Sequence, residues 1–351
     1  MSNRYEPQAL INFAGALFAA AGMPADRATI VAQLLVEADL MGHDTHGLNL
    51  AASYLAALDD GRMAATGDPE VVADRGAVLT WDGGYLSGVW LVSRAIDEGL
   101  ARVAGHGTVT IAIRRSHHIG CLAVFLPRAT DQGIMVTVMS SDPSEQGVTP
   151  HGGVEALFTP DPIAVGIPTD GDPLLIDISA SATTLGLSGR FKGEGRRLPG
   201  PWLVDAEGHA TDDPAVLDAD PPGALLPLGG LDRGHKGFGL AVMVEAMTSG
   251  LAGFGRAAGA ERWGASVFVQ LVDPAAFGGT QAFRQETGGL ARACRAARVA
   301  PGKPAVRMPG DGALARKRAA LADGVALYPS IMPALAPFAE RYGCTAPAAL
   351  T

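Results

Sequence analysis

The run His235-Lys236-Gly237-Phe238-Gly239-Leu240-Ala241-Val242-Met243-Val244-Glu245 decides how this chain is read. Leu240, Met243, Val244 and Met247 recur at helical spacing, which places Gly237 and Gly239 in the first turn of an apolar helix. Free N–H groups and the positive helix end favour an anion there, and Lys236 adds a mobile point charge. The run therefore predicts a hold on a phosphate-bearing cofactor; a buried helix preceded by a solvated lysine fits the same letters. The dinucleotide fingerprint is incomplete, because Val242 stands where the third glycine belongs and no early strand precedes the run. A Rossmann domain is not supported. Nor does the chain contain a GxxxxGK[ST] phosphate loop or a GxSxG nucleophile elbow.

Outward from this run the chain divides into helical ends and a mixed middle. Ile30, Val31, Leu34, Leu35 and Ala38 recur at three- and four-residue spacing, so residues 1–70 read as a helical N-terminal lobe closed by the loop from Asp59 to Pro69. A helix is predicted from Ser87, its N-cap, to the glycines at 105 and 107. Apolar runs at Thr108–Ile113, Gly133–Met139, Ile163–Ile167, Leu174–Ile178 and Ser266–Leu271 read as buried strands. Helix returns at Ala313–Ala322 and Ser330–Tyr342, with Pro337 expected to kink or shorten the latter. Strands and helices mix without strict alternation, which favours an α+β layered domain over 71–310, followed by C-terminal helices over 311–351.

Composition limits the function. A chain of 351 residues with a formal charge of −9 and no block of like charge does not attract phosphate backbones or anionic membranes, so nucleic acid and membrane partners are not expected. No apolar stretch reaches the roughly 18 residues of a transmembrane helix. Leu10–Met23 resembles a short signal core, but Asn12 interrupts it and Arg4 is offset by Glu6. Cys121, Cys294 and Cys344 form no CxxC pair and leave an odd count, which fits a reducing cytoplasm.

Four of the eight histidines fall in two groups, His43-Asp44-Thr45-His46 and Ser116-His117-His118-Ile119-Gly120. Imidazole gives and takes protons near neutral pH, and each group carries a hydroxyl or carboxylate that could set its tautomer. Structural turn histidines account for either group equally well. His43 and His46 could share a helix face around a metal, but no cysteine or carboxylate spacing completes a ligand set, so no metal is expected.

With these segments in place, the chain resembles the type 2 malate/L-lactate dehydrogenase family, which is distinct from the Rossmann-type enzymes. Asp44-Thr45-His46-Gly47-Leu48 is similar to its N-terminal signature and Ser116-His117-His118-Ile119-Gly120 to its SNHFG motif. Pro150-His151-Gly152-Gly153, Asp177-Ile178-Ser179-Ala180-Ser181, the His235–Glu245 run and Met308-Pro309-Gly310-Asp311 follow in the family's order.

The resemblance implies a non-Rossmann cofactor domain, a helical lobe built from both chain ends, and an active site completed in a homodimer. It implies NAD(H) or NADP(H) as cofactor, and hydride transfer between nicotinamide and a small 2-hydroxy/2-oxo acid. A cyclic 2-imino acid is the alternative substrate, and a cofactor-binding homologue without turnover the alternative function. His46 and His118 take the acid/base roles; His46 as donor assisted by Thr45, with His118 polarising the same oxygen, is the preferred assignment, and the reverse is open on sequence alone. Asp177, Ile178, Ser179, Lys236 and Gly310, with Ser141, fall on cofactor-contacting positions.

Departures from the family pattern bear on the substrate. Leu50 stands where an arginine commonly clamps its carboxylate, which leaves Arg114 and Arg115 as the nearest replacement cations by motif. An apolar substrate group against Leu50 is the other expectation. Asp161 replaces the usual Asn before Pro162, Arg115 the Asn before Ser116, and Leu187 a frequent Lys.

Overall fold

In the computed structural model, which describes residues 3–350, the middle of the chain forms one seven-stranded mixed sheet. Its strands are β1 (Glu70–Asp74), β2 (Val78–Asp82), β3 (Thr108–Ser116), β4 (Met135–Ser141), β5 (Ile163–Ile167), β6 (Leu174–Ile178) and β7 (Ala265–Val272). They lie in the order β1-β2-β3-β7-β4-β5-β6, and only β2 and β3 pair in parallel. One parallel crossover, β2 to β3 through the helix Gly88–His106, sits in an otherwise antiparallel sheet, which makes the fold α+β rather than doubly wound. The predicted strands at Ile163–Ile167 and Leu174–Ile178 appear with those limits.

The helices are α1 (Pro7–Ala20), α2 (Ala25–Met41), α3 (Ala51–Asp59), α4 (Gly88–His106), α5 (Leu185–Gly193), α6 (His235–Glu245), α7 (Thr280–Arg295), α8 (Asp311–Asp323) and α9 (Ile331–Tyr342). Side-chain alternation along β7 explains the layers. Val267, Val269 and Leu271 enter the main core with α4, whereas Phe268 faces the other way and meets Met139, Ile163 and Val244 of α6.

Both chain ends belong to the main core. Leu10, Leu17 and Phe18, from the segment that resembles a signal core, are fully buried in α1. Helix α8 packs on α2 and α9 on α3 and α1, while Arg4–Tyr5 pairs antiparallel with Val325–Ala326. The first two residues and the last lie outside the described residues. Helix α9 runs through Pro337 to Tyr342, so the expected shortening does not occur; burial of Ile331, Leu335 and Ala339 on one face outweighs one missing hydrogen bond. No helix among the described residues is long and apolar enough to cross a membrane.

Candidate active site

Two chain reversals deliver the histidine groups to one place. Helix α2 ends at Gly42, whose φ of 82° suits glycine, with the His43 and Gly42 amides closing back on Ala38 and Asp39. The turn His43–His46 follows at once. From the sheet side, Arg115, with φ of 50° and paired contacts to Asp82, precedes the last residue of β3, Ser116, and the chain passes directly into His117 and His118. The His46 and His118 rings then stand 6.1 Å apart at 29°.

Their partners fix their states. His118 Nδ1 lies 2.6 Å from the Tyr54 hydroxyl and 3.3 Å from the Gly120 N–H, which can only donate. Nδ1 is therefore the acceptor, and the neutral ring carries its proton on Nε2. Trp263 stacks on His118 at 5.1 Å, which together with Tyr54 removes water from that side. Burial, then the neighbouring His46, pushes His118 down to about 3. His46, whose Nδ1 meets Thr45 Oγ1 at 2.8 Å, is lowered by burial and by His43. Both imidazoles rest neutral at pH 7. His117 is fully buried, edge-on to Trp263 at 4.7 Å, and belongs to the packing.

A short segment links this pair to a cavity of about 660 Å³. The chain runs from His118 through Cys121 to Ala123, whose N–H donates to Asp177 Oδ2 at 2.9 Å near the end of β6. Asp177, Ile178 and Gly310 line the cavity with His43, Arg307 and Arg316. The 308–310 segment is docked there by a bond from the Leu175 N–H to the Pro309 carbonyl, 3.1 Å.

Other residues of the sequence reading stand outside that lining. Ser141 is buried against Ser249 Oγ at 3.1 Å, and Ser179 Oγ donates to the Ser181 carbonyl at 3.0 Å. Lys236 lies on the exposed first turn of α6. The expectation that this turn offers free amides needs correction. A turn of helix at Gly230–Arg233 runs into α6, Gly237 N–H donates to Leu228 O, and Phe238 N–H donates to Gly234 O. A Cβ on Gly237 would come within 2.3 Å of Leu228 N and 2.6 Å of Ala180 O, so its smallness serves packing of α6 on the backbone after β6.

The substrate-side expectations also change. Arg114 and Arg115 both pair with the buried carboxylate of Asp82, and so are committed to the sheet rather than to an open site. Leu50 is half-buried against the main core and does not line the cavity of about 660 Å³. A different cation stands beside the signature turn. Arg190 of α5 pairs with Asp44 at 3.1 Å, lies 4.2 Å over the Tyr328 ring, and lines a cavity of about 360 Å³ with Thr45 and Asn49. Neither Arg190 nor Tyr54 was legible as a site residue, since each comes from an element outside the two histidine groups.

Comparison with known proteins agrees with this architecture. The malate/L-lactate dehydrogenase family model matches residues 5–336. An L-lactate dehydrogenase of Cupriavidus necator is 29% identical over 340 residues, covering 95% of this chain and 96% of that protein. A Delta(1)-pyrroline-2-carboxylate/Delta(1)-piperideine-2-carboxylate reductase of Pseudomonas syringae pv. tomato is 30% identical, covering 91% of each. The crystal structure of malate dehydrogenase from Entamoeba histolytica superposes with a TM-score of 0.92 at 20% identity, covering 98% of this chain and 99% of that one, and so shares the fold. From a family match across nearly the whole chain and relatives of full length, the protein belongs to the malate/L-lactate dehydrogenase family and is an oxidoreductase.

Proposed function

We propose that the protein transfers hydride between NAD(P) and a small 2-hydroxy/2-oxo acid. The observation that carries this reading is the pairing of two half-buried neutral imidazoles, 6.1 Å apart, beside a cavity walled by a carboxylate. The cavity residues fit a dinucleotide. Asp177 has a second oxygen to offer ribose hydroxyls, Ile178 is 43% exposed as an apolar platform, and Arg307 and Arg316 suit phosphate. Gly310 belongs to the same wall, and Ser179 lies one residue beyond Ile178. Lys236 and Ser141 are kept as outer cofactor contacts. When bound, the cofactor supplies or accepts the hydride.

The chain's own groups handle the proton and the acid. His118 offers its Nε2–H to the reacting oxygen, held in that tautomer by Tyr54 and Gly120. His46, steered by Thr45, takes the hydroxyl proton during oxidation and returns it during reduction. A neutral resting ring suits the first task, and a bound acid anion would favour its protonated form in the second. Arg190 swings from Asp44 to hold the substrate carboxylate in place of the arginine missing at Leu50.

In the same reading, residues 1–70 and 311–351 make one helical wall and 71–310 the other. The apolar surface of Leu231, Val242, Met243 and Leu251 is covered by a second copy in a homodimer. The three unpaired cysteines favour the cytoplasm. Fluorescence titration with NADH and NADPH, followed by a panel of pyruvate, oxaloacetate, sulfopyruvate and piperideine carboxylate, tests the proposal. Saturable binding with steady oxidation by an oxo acid is expected. Failure of both cofactors to bind at millimolar concentration would overturn it. Turnover of the cyclic imine alone would favour the second reading, which the similarity to the Pseudomonas syringae reductase supports.

A further inference from the structure

We propose that His43, Cys121 and Asp177 form a binding site for a thiophilic divalent cation of the zinc class. The three come from separate parts of the chain: the turn after α2, the segment after His118, and β6. One ligand atom from each lies within 4.8 Å of the other two. Tetrahedral zinc with bonds of roughly 2.0–2.3 Å sets its ligands roughly 3.3–3.8 Å apart, so closure needs about an ångström of side-chain movement. Cys121 Sγ is already 3.7 Å from Asp177 Oδ2. His43 and Asp177 also line the cavity of about 660 Å³, which gives the cation an entry path and room for a fourth ligand.

The chemistry of the cluster asks for a cation. A buried thiol faces a half-buried carboxyl with an imidazole beside them, three donors gathered at one wall of the cavity. A divalent ion would replace the thiol proton and satisfy a thiolate, a carboxylate and a neutral imidazole together. Sequence spacing hides the set, since it is completed only by the fold. The site shares Asp177 and one cavity with the cofactor reading above, but direct metal titration tests it whether or not that reading holds. Its occupation would draw Asp177 away from any other ligand of the cavity.

The test is direct titration of tag-free, full-length protein with zinc by calorimetry, and with cobalt by absorption. One zinc per chain is expected, with proton release, and cobalt should give a thiolate charge-transfer band with d–d bands of tetrahedral intensity. Cys121→Ser should abolish the charge-transfer band, and His43→Gln should weaken zinc at least roughly tenfold, the low end for even an outer partner of a metal ligand. Cys294→Ser should change neither. Circular dichroism and melting of each variant report folding, and His43→Gln decides the matter if Cys121→Ser does not fold. Absence of stoichiometric zinc binding, or binding that persists unchanged in His43→Gln and Cys121→Ser, would overturn the site.

Discussion

Tyr54 shows how one hydroxyl sets the state of a neighbouring base. It is fully buried, and its bond to His118 Nδ1 leaves Nε2–H as the outward donor. Tyr54→Phe keeps the ring but removes this bond, which is worth about 1–1.5 kcal/mol, so the turnover number should fall roughly tenfold. Steady-state rates beside a cofactor titration check this: cofactor affinity should hold, and an unchanged rate would show that Gly120 alone suffices. Arg190 belongs to the same scale. If it receives the substrate acid, Arg190→Met should raise the Michaelis constant for a 2-oxo acid far more than it lowers the turnover number. A change confined to the turnover number would remove it as the clamp. The sequence marked His46 and His118 because rare imidazoles cluster in it; Tyr54 and Arg190 had no such mark, since their meaning comes from contacts between distant elements.

Among the elements, legibility followed burial. β5 and β6 read cleanly from sequence because they are short apolar runs bounded by turns. β1 did not: all five of its residues are exposed at the sheet edge, and Glu70 and Asp74 close it with charge. α7 was also unread, for its buried residues are Gly288 and Ala291, too small to mark an apolar stripe. α6 was read as a helix at the right place but for the wrong reason at Gly237, whose neighbour is protein backbone. Its outer side carries the next prediction. Val242 and Met243 are 48% and 38% exposed, so Val242→Asp should convert a dimer to monomer by light scattering at micromolar concentration. Equal masses for both proteins would remove this face as the dimer contact.

At the scale of the whole molecule, buried titratable groups tie stability to pH with opposite signs. His117 and His118 fall from 6.5 to about 3, so they bind protons in the unfolded chain that the fold refuses, and stability drops as pH falls across that range. Asp39 and Asp161 rise from 3.8 to about 8, chiefly by burial, so the fold keeps protons the unfolded chain loses, and stability drops as pH rises across theirs. The two pairs oppose each other below 6.5. From 6.5 to 8 only the carboxyls act, each at about 1.4 kcal/mol per pH unit. Asp161 has φ 46° and accepts from Thr159 Oγ1 at 2.6 Å, while its other oxygen has no partner. Asn tolerates that φ and does not titrate, so Asp161→Asn should lose about half as much stability as the wild type between pH 6.5 and 8 in denaturant unfolding. Parallel curves would mean that Asp161 does not titrate there.

The central claim is that His46 moves the proton that accompanies hydride transfer. The most direct measurement is the rate of NADH or NADPH oxidation by wild type and His46→Ala at saturating cofactor and oxo acid, with cofactor affinity measured in parallel. A fall of ~10²–10⁴-fold in the variant, with cofactor affinity retained, is predicted. A variant that keeps most of the wild-type rate would contradict the assignment.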